Sequence, residues 1–255
     1  MQNKNFFFTV ICPTYNSENY IKKNFYSLLS QKNQDFEVIY IDDGSTDDTV
    51  KIIKKLIKNY SNFKIFEKKH EGPGSARNLG ITKSNGGWIS FIDSDDIWYP
   101  FKLQKVNKAI LENSSTNFVV HWENFIKLNG EIKILKHGIY FKNKFFFLKK
   151  LYLSNFLSTS AVVLKKSLFL KHGFFDESLP NAQDYDLWLK LAPYINLFTL
   201  EEILGEYNET KNSITLRPYY KRIFSELRIA LRYKSYYKLY FIKVFKILFS
   251  KRWFR

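Results

Sequence analysis

The sequence predicts an α/β domain in which a mostly parallel sheet is flanked by helices. Short apolar runs alternate with segments of helical spacing through the first hundred residues. This alternation is typical of strands joined by crossover helices. The 255-residue chain has 45% hydrophobic and 25% charged residues. That composition excludes disordered and collagen-like classes.

The first half of the chain contains four predicted strands and three predicted helices. Apolar runs predict the strands, which are Phe6–Ile11, Phe36–Ile41, Phe63–Phe66 and Trp88–Ile92. Helical spacing of apolar residues predicts helices over 21–29 and 52–57, and a Gly-Pro-Gly loop opens a third through Leu79.

The alternation loosens after Asn113. The predicted elements there are strands at Phe118–Trp122, Glu131–Leu135 and Ala161–Leu164, and helices at Phe145–Leu153 and Asp184–Ala192. Because no Gly- or Ser-rich linker interrupts the chain, residues 1–216 are predicted to form one domain. Its halves are 1–112 and 113–216, and a tail follows over 217–255.

The formal net charge of +16 is concentrated in the tail. Residues 217–255 contain twelve Lys or Arg and one acid, Glu226, whereas residues 1–216 carry a net charge of only +5. A uniformly basic protein would indicate nucleic acid. A nearly balanced body with a basic aromatic tail favours a membrane surface or an acidic partner.

The cysteine content and the apolar runs of the sequence indicate the cellular compartment. Cys12 is the only cysteine, which excludes an intrachain disulfide and a Cys-based zinc cluster and indicates a reducing compartment. The run Phe6–Ile11 is too short for a signal peptide. No segment reaches about 18 uninterrupted apolar residues, the length of a spanning helix.

Acidic and polar clusters follow three predicted strands, at residues 13–16, 42–43 and 93–96. Ligands bind beyond the carboxyl ends of the strands in an open parallel sheet. Asp at strand ends also makes turns and caps, but three clusters at one edge favour a binding site. Asp93 and Asp95 could hold Mg²⁺ or Mn²⁺, which prefer oxygen ligands and leave room for phosphate.

Four segments in this order resemble the successive motifs of family 2 glycosyltransferases: Val10–Asn16, Ile41–Asp47, Gly74–Gly80 and Phe91–Asp96. A fifth resembling segment is Gly173–Asp176 followed by Gln183–Trp188. The resemblance covers roughly Phe6 to Thr215. It implies the GT-A fold, an inverting reaction, a nucleotide-sugar-binding half over 1–112 and an acceptor-binding half over 113–216.

The resemblance also implies a nucleotide-sugar site, formed by Pro13, Thr14, Tyr15, Asn16, Asp42, Asp43, Arg77, Asp93, Ser94 and Asp95. Asp43 would bond the uracil of a UDP-sugar, and Arg77 would lie near the nucleotide or its phosphates. Asp93 and Asp95 match the family's metal-binding Asp-x-Asp, with Asp96 as a third candidate. The implied cofactor is Mn²⁺ or Mg²⁺.

Asp184 matches the family's general base. Gln183 stands where the family usually has Glu, which predicts a lower base pKa than in relatives that carry the second charge. Trp98 and Asp186 are candidates for contact with the sugar or acceptor, although Asp186 would point away from Asp184 on a helix. His70 is interpreted as a surface or packing residue.

The tail is predicted to form a basic amphipathic helix. Its apolar arc is broad, and such helices lie in lipid interfaces. The residues expected to face anionic lipid are Arg228, Arg232, Lys243 and Lys246. The alternative is that one face packs on the domain while the other is solvated. Because the predicted site lies upstream, the tail is expected to be dispensable for reaction with a water-soluble acceptor.

These observations predict an inverting, metal-dependent glycosyltransferase that uses a nucleotide sugar and a lipid-linked, lipopolysaccharide-type or capsule-type glycan. We expect it on the inner face of the bacterial cytoplasmic membrane, with no nucleic-acid partner. Three alternatives stay open: transfer to polyprenyl phosphate, an inactive glycan-binding module, and a basic nucleic-acid-binding protein. The last leaves the acidic strand ends unexplained.

Overall fold

The structure is a computed structural model that describes residues 7–138, 144–210, 220–234 and 239–249. The strands are β1 Phe8–Thr14, β2 Phe36–Asp42, β3 Phe63–Glu67, β4 Trp88–Phe91, β5 Ile97–Trp98, β6 Phe118–Ile126, β7 Ile132–Leu135, β8 Val162–Lys165 and β9 Leu197–Asn208. The helices are α1 Ile21–Leu29, α2 Thr49–Ile57, α3 Pro73–Lys83, α4 Lys102–Glu112, α5 Lys144–Leu153, α6 Lys166–His172, α7 Gln183–Leu191, α8 Tyr220–Arg232 and α9 Tyr240–Leu248.

All nine strands join one sheet, in the order β3-β2-β1-β4-β8-β6-β9-β5, with β7 paired to β6. The first four strands are mutually parallel. β8 runs antiparallel to β4 and β6, and β6 is parallel to β9. The predicted α/β fold is therefore confirmed: β1–β4 form an all-parallel set, whereas the rest of the sheet mixes parallel and antiparallel pairs.

The core lies on both faces of the sheet. Alternate side chains of a strand point to opposite faces, so Val10 and Cys12 join one buried cluster and Ile11 joins the other. A Cβ atom on Gly80 would lie 2.4 Å from Cγ2 of Ile11. Glycine at this position therefore lets α3 pack closely against β1, which brings the N-terminal part of α3 to the carboxyl edge of the sheet.

Of the two C-terminal helices, α8 packs on this core and α9 packs on α8. Ile229 and Tyr233 of the α8 segment are buried in the main cluster. Ile247 of α9 packs with Ile223 and Ala230 of α8 in a smaller cluster. Within the described ranges no helix has the length and apolarity needed to cross a membrane.

Two predicted lipid-facing residues have other partners, which corrects the sequence-based prediction. Arg232 pairs with Asp176 and Asp186 at 2.7 and 2.6 Å. Lys243 is 4% exposed, and its Nζ lies 4.8 Å from the centre of the Tyr185 ring. Among the four basic residues of that prediction, Lys243 is buried, Arg232 is exposed but paired with carboxylates, and Arg228 and Lys246 are exposed. The remainder of the predicted tail lies partly outside the described residues.

Candidate active site

A cavity of about 1300 Å³, called the cleft below, lies at the carboxyl edge of the parallel strands. It is lined by most of the residues predicted for the nucleotide sugar together with the predicted base: Pro13, Thr14, Tyr15, Asn16, Asp43, Arg77, Asp93, Ser94, Asp95 and Asp184. Ligand pockets for one small molecule usually measure about 300–1,000 Å³. The cleft is therefore large enough for a donor and part of a second substrate.

Asp42 does not line the cleft, which corrects its predicted role. The Asp42 carboxylate is buried, and it accepts hydrogen bonds from Thr14 Oγ1 at 3.0 Å and from the Ser45 backbone N–H at 2.8 Å. These bonds tie the end of β1 to the loop after β2. Asp42 thus shapes the wall of the cleft from behind.

Asp43 shapes the loop that precedes α3. Its carboxylate accepts the backbone N–H groups of Glu71 and Gly72 at 3.0 and 2.8 Å, and it pairs with Lys68 at 3.0 Å. Gly72 has a φ of 94°, which favours glycine. Asp43 lines the cleft, and its contact with uracil stays a prediction.

His70 lies on the wall of the cleft. The sequence analysis interpreted it as a surface or packing residue and did not assign it to the site. Its ring stacks on Tyr15, with centroids 4.2 Å apart and planes 28° apart. Its Nδ1 lies 2.8 Å from the Asp43 carboxylate. The two rings present an aromatic surface suited to a planar group. The position of His70 just before the Gly-Pro-Gly loop was the available sequence clue.

Arg77 and Asp93 form a close ion pair at the centre of the cleft. Arg77 lies on α3 with its side chain 8% exposed, and its Nη2 donates to Asp93 Oδ1 at 2.6 Å. Its Nε atom is buried and makes no hydrogen bond among the described residues. A buried guanidinium here supplies positive charge beside the acidic pair.

Asp95 completes the acidic pair. Burial, and then the neighbouring Asp93 charge, raise the pKa of Asp95 to about 6. Thr210 Oγ1 donates to its Oδ2 at 3.2 Å. Mutual repulsion of two carboxylates is relieved by a divalent cation, and Mg²⁺ is commonly bound through one or two carboxylates plus substrate phosphates. Asp93 and Asp95 thus supply two oxygen ligands of the kind Mg²⁺ uses, while the described residues contain no cluster of three or more metal-ligating side chains.

Asp96 and Trp98 lie beneath the cleft rather than in it, which corrects their predicted roles. The Asp96 carboxylate is fully buried and accepts Ser160 Oγ at 2.5 Å and the Asn208 backbone N–H at 2.9 Å. Trp98 is 1% exposed, and its Nε1 donates to the Ser160 carbonyl at 3.2 Å. The polar atoms of both residues form hydrogen bonds to Ser160, and Asp96 also bonds to Asn208, so both side chains support the site from below.

Asp184 lies in the first turn of α7, where the helix dipole favours a negative charge. Its Oδ2 accepts a 2.9 Å hydrogen bond from Asn155 Nδ2. Burial raises the pKa of Asp184, while Arg77 acts in the opposite direction. A carboxylate with a raised pKa in a cleft is a good candidate for a general base.

Gln183 packs behind Asp184. Its Nε2 donates to the Leu179 carbonyl at 2.7 Å, and the side chain is almost fully buried. A Cβ atom on Gly74 would lie 2.6 Å from Gln183 Oε1, so the amide rests directly on the start of α3. A carboxylate at position 183 could not donate to Leu179, so the amide has a packing role of its own.

Asp186 points away from the cleft, as the helical spacing predicts, and this corrects its candidacy as an acceptor contact. It is fully buried. Its Oδ1 accepts Arg232 Nη1 at 2.6 Å and Tyr233 Oη at 3.2 Å. Asp186 therefore joins α7 to α8.

Residues of β9 and of the C-terminal helices also line the cleft. Tyr207 and Asn208 at the end of β9 line it. Lys243 and Lys246 of α9 line it too. The C-terminal helices thus contribute directly to the shape of the site.

A model of the family described as Glycosyl transferase family 2 matches residues 9–173. An uncharacterised glycosyltransferase of Rickettsia bellii is 35% identical over 187 residues, which covers 72% of this chain and 26% of that protein. One from Methanocaldococcus jannaschii is 31% identical over 206 residues, which covers 78% of this chain and 69% of that protein. The chain therefore spans about a quarter of the length of the Rickettsia relative.

Solved structures share the fold. S. aureus TarS 1-349 in complex with UDP-GlcNAc has a TM-score of 0.74 at 22% identity, covering 96% of this chain and 73% of that chain. The mannosyltransferase PcManGT from Pyrobaculum calidifontis, in complex with GDP-Man and Mn²⁺, has a TM-score of 0.69 at 16% identity. It covers 97% of this chain and 71% of that chain.

Proposed function

We propose a function for this chain from one premise: it belongs to glycosyl transferase family 2 and has the GT-A fold. The proposed reaction is inverting transfer of a sugar from a nucleotide sugar to a hydroxyl group of a lipid-linked, lipopolysaccharide-type or capsule-type glycan. The single observation that carries the proposal is that Asp93, Asp95, Arg77 and Asp184 line one cleft. A UDP-sugar is the proposed donor.

The proposed roles follow from the charges around the cleft. Asp93 and Asp95 would hold Mn²⁺ or Mg²⁺, which when bound would neutralise charge on the departing nucleoside diphosphate. Arg77 adds a fixed positive charge near the same point. Asp184 would accept the proton of the attacking hydroxyl, and a single displacement of this kind inverts the sugar without an enzymatic nucleophile.

Aromatic stacking supports a nucleotide donor. Tyr15 and His70 form an exposed pair of rings on the wall of the cleft. A base stacked on such a surface gains about 1–3 kcal/mol in proteins that bind single-stranded nucleic acids. The nearby Asp43 would then meet a donor group of the base.

The alternatives are less well supported. A nucleic-acid partner would bring phosphates to a cleft whose centre holds Asp93, Asp95 and Asp184, and carboxylates repel phosphates unless a metal intervenes. An inactive glycan-binding module is disfavoured because Asp184, the proposed base, lines the cleft beside Gln183. Transfer to polyprenyl phosphate remains a second candidate, since Lys243 and Lys246 add positive charge to one wall.

The proposal includes a peripheral site on a membrane, reached from the cytoplasm. Large apolar side chains of α8 and α9 and the residue that follows α9 are more than 60% exposed: Phe224, Phe241, Phe245 and Phe249. Arg228 and Lys246 are exposed on the same two helices. Aromatic and basic side chains together are what an anionic lipid interface binds.

A panel of nucleotide sugars tests the proposed reaction. Each donor is incubated with glycan acceptors and Mn²⁺ or Mg²⁺, and release of UDP or GDP is measured together with glycan product. We expect one donor class to react and Asp184→Asn to abolish transfer while it preserves donor binding. Asp48→Asn, an exposed carboxylate on the loop before α2, is the matched control. Metal-independent turnover, or full turnover by Asp184→Asn, would overturn the proposed roles.

A further inference from the structure

Arg232, at the end of α8, bridges two carboxylates of the catalytic domain. Its Nη1 donates to Asp186 Oδ1 at 2.6 Å, and its Nη2 donates to Asp176 Oδ2 at 2.7 Å. Asp186 is fully buried on α7, whereas Asp176 lies in the loop between α6 and α7. A planar guanidinium that binds two carboxylates fixes their relative positions.

Further bonds fasten the same end of α8. Tyr233 Oη donates to Asp186 Oδ1 at 3.2 Å. Tyr152 Oη donates to the Ala230 carbonyl at 2.8 Å, and Tyr185 Oη donates to the Tyr152 carbonyl at 2.5 Å. Asp186 and Tyr185 flank this junction on α7, directly after Asp184. The end of α8 is therefore connected to the first turn of α7 by several independent bonds.

We infer that Arg232 is a positioning residue for the reaction: it holds the first turn of α7 so that Asp184 faces the cleft. The inference rests on the proposed function, because it assumes that Asp184 is the base. Asp184 and Asp186 lie two residues apart on one helix turn, so a rotation that freed Asp186 would also move Asp184. The effective placement of a catalytic group tolerates displacements of well under 1 Å.

The electrostatics of Asp186 strengthen the inference. Its Oδ2 atom is buried without a hydrogen bond among the described residues, and Lys190 Nζ lies 3.8 Å away. Most of the compensation for this buried charge therefore comes from Arg232 and Tyr233. Without Arg232, the turn would relax to bring the Asp186 carboxylate toward water.

A double-mutant cycle between Arg232 and Asp186 tests this inference. Arg232→Gln, Asp186→Asn and the double variant are compared for kcat of transfer, donor dissociation constant and thermal unfolding. Arg232→Gln is expected to lower kcat at least fivefold and to change the donor dissociation constant less than twofold. In the Asp186→Asn background, Arg232→Gln should lower kcat less than twofold, because Asp186, the main partner of Arg232, is already neutral.

Two variants separate positioning from general stability. Lys234→Gln removes an exposed cation two residues away and should keep the kcat of the wild type. Arg232→Lys keeps the charge without the fork, and a kcat between those of wild type and Arg232→Gln is expected. Equal loss of kcat and donor binding in Arg232→Gln, full kcat in that variant, or additive effects in the cycle would each overturn the inference. Absence of transfer by the wild type would instead count against the proposed function.

Discussion

The side-chain amide of Asn155 donates a 2.9 Å hydrogen bond to Oδ2 of Asp184. The amide is itself oriented, because Asn155 Oδ1 accepts the Leu157 backbone N–H at 3.2 Å. The loop after α5 therefore fixes one oxygen of the proposed base. Arg77, a charged neighbour of Asp184, belongs to α3, far from Asn155 in sequence. The environment of the proposed base is therefore set by two distant segments of the chain.

Asn155→Ala is expected to lower kcat by about three- to tenfold, the equivalent of one hydrogen bond worth about 0.5–1.5 kcal/mol. The Asn155 hydrogen bond favours the charged form of Asp184. Its loss should raise the pKa of Asp184 further, so the acidic limb of the pH–rate profile moves to higher pH. Steady-state kinetics across a pH series measure both effects.

Asn113→Ala provides a control for the Asn155 experiment, since Asn113 caps the end of α4 away from the cleft. The control should leave the pH–rate profile unchanged. A profile that moves to lower pH in Asn155→Ala would contradict the proposed effect of the hydrogen bond on Asp184.

Asp95→Asn should lower transfer at least about tenfold, because a neutral amide replaces a charged metal ligand. The same change should stabilise the protein in chelator at pH 7.5. The pKa of Asp95, about 6 in the fold, lies above its ordinary value. Ionisation of Asp95 therefore lowers the free energy of unfolding as the pH rises through about 6. Asn at this position does not ionise, so the variant avoids that loss.

The stabilisation expected from Asp95→Asn is roughly 1 kcal/mol, or about 2–4 °C in the melting temperature of a chain of this size. It should shrink toward pH 3, below the ordinary Asp pKa of 3.8, where the carboxyl group is mostly protonated in both folded and unfolded protein. Melting curves of wild type, Asp95→Asn and Asp48→Asn at both pH values test this. A lower melting temperature for Asp95→Asn in chelator would show that the carboxylate stabilises the fold.

Much of the parallel half could be predicted from the sequence. The strands there are short buried runs, and β2 and β4 are buried at every position. Their carboxyl ends are fixed by topology, so the cleft residues 13–16 and 93–95 could be placed at one edge before any coordinates. The same argument could not separate Asp95 from Asp96. Asp95 and Asp96 differ only in the direction in which the turn points their side chains. Hydrogen bonds from Ser160 and Asn208, which come from distant segments, hold Asp96 inward.

The second half was less predictable because long-range pairing determines it. β9 carries exposed and half-buried residues throughout most of its length, and its register with β6 shifts twice near Trp122. Neither feature gives a clean alternation. The role of Trp98 was misjudged for a related reason. Its position after an acidic cluster suggested the cleft, but α4 and the Ser160 carbonyl enclose it.

Binding to anionic vesicles is expected to depend on exposed residues of the C-terminal helices rather than on all four basic residues of the sequence prediction. Arg228→Gln with Lys246→Gln should weaken binding roughly 30-fold, at about 1 kcal/mol for each charge. Phe241→Ser should weaken it further because that side chain is 85% exposed. Sedimentation with anionic and neutral vesicles at two salt concentrations measures the effect.

A control variant that loses the same number of charges elsewhere shows whether vesicle binding depends on the position of the cations or only on net charge. Lys22→Gln with Lys23→Gln removes two exposed cations from α1 and should leave vesicle binding intact. Wild-type protein that fails to sediment with anionic vesicles would refute the membrane proposal. Equal weakening by the α1 control would attribute binding to net charge alone.

Removal of the predicted tail, residues 217–255, is expected to unfold or strongly destabilise the domain, contrary to the expectation from sequence. The deletion removes Ile229 and Tyr233 from the main core and leaves Asp186 buried without Arg232. Loss of the partner of the fully buried Asp186 carboxylate is destabilising in itself, and the 32% exposure of the Arg232 side chain reduces that cost. A deletion of residues 239–255 keeps α8 and should fold with a smaller loss. Thermal unfolding by circular dichroism distinguishes the two, and a cooperative, wild-type melting curve for the longer deletion would show that α8 is dispensable.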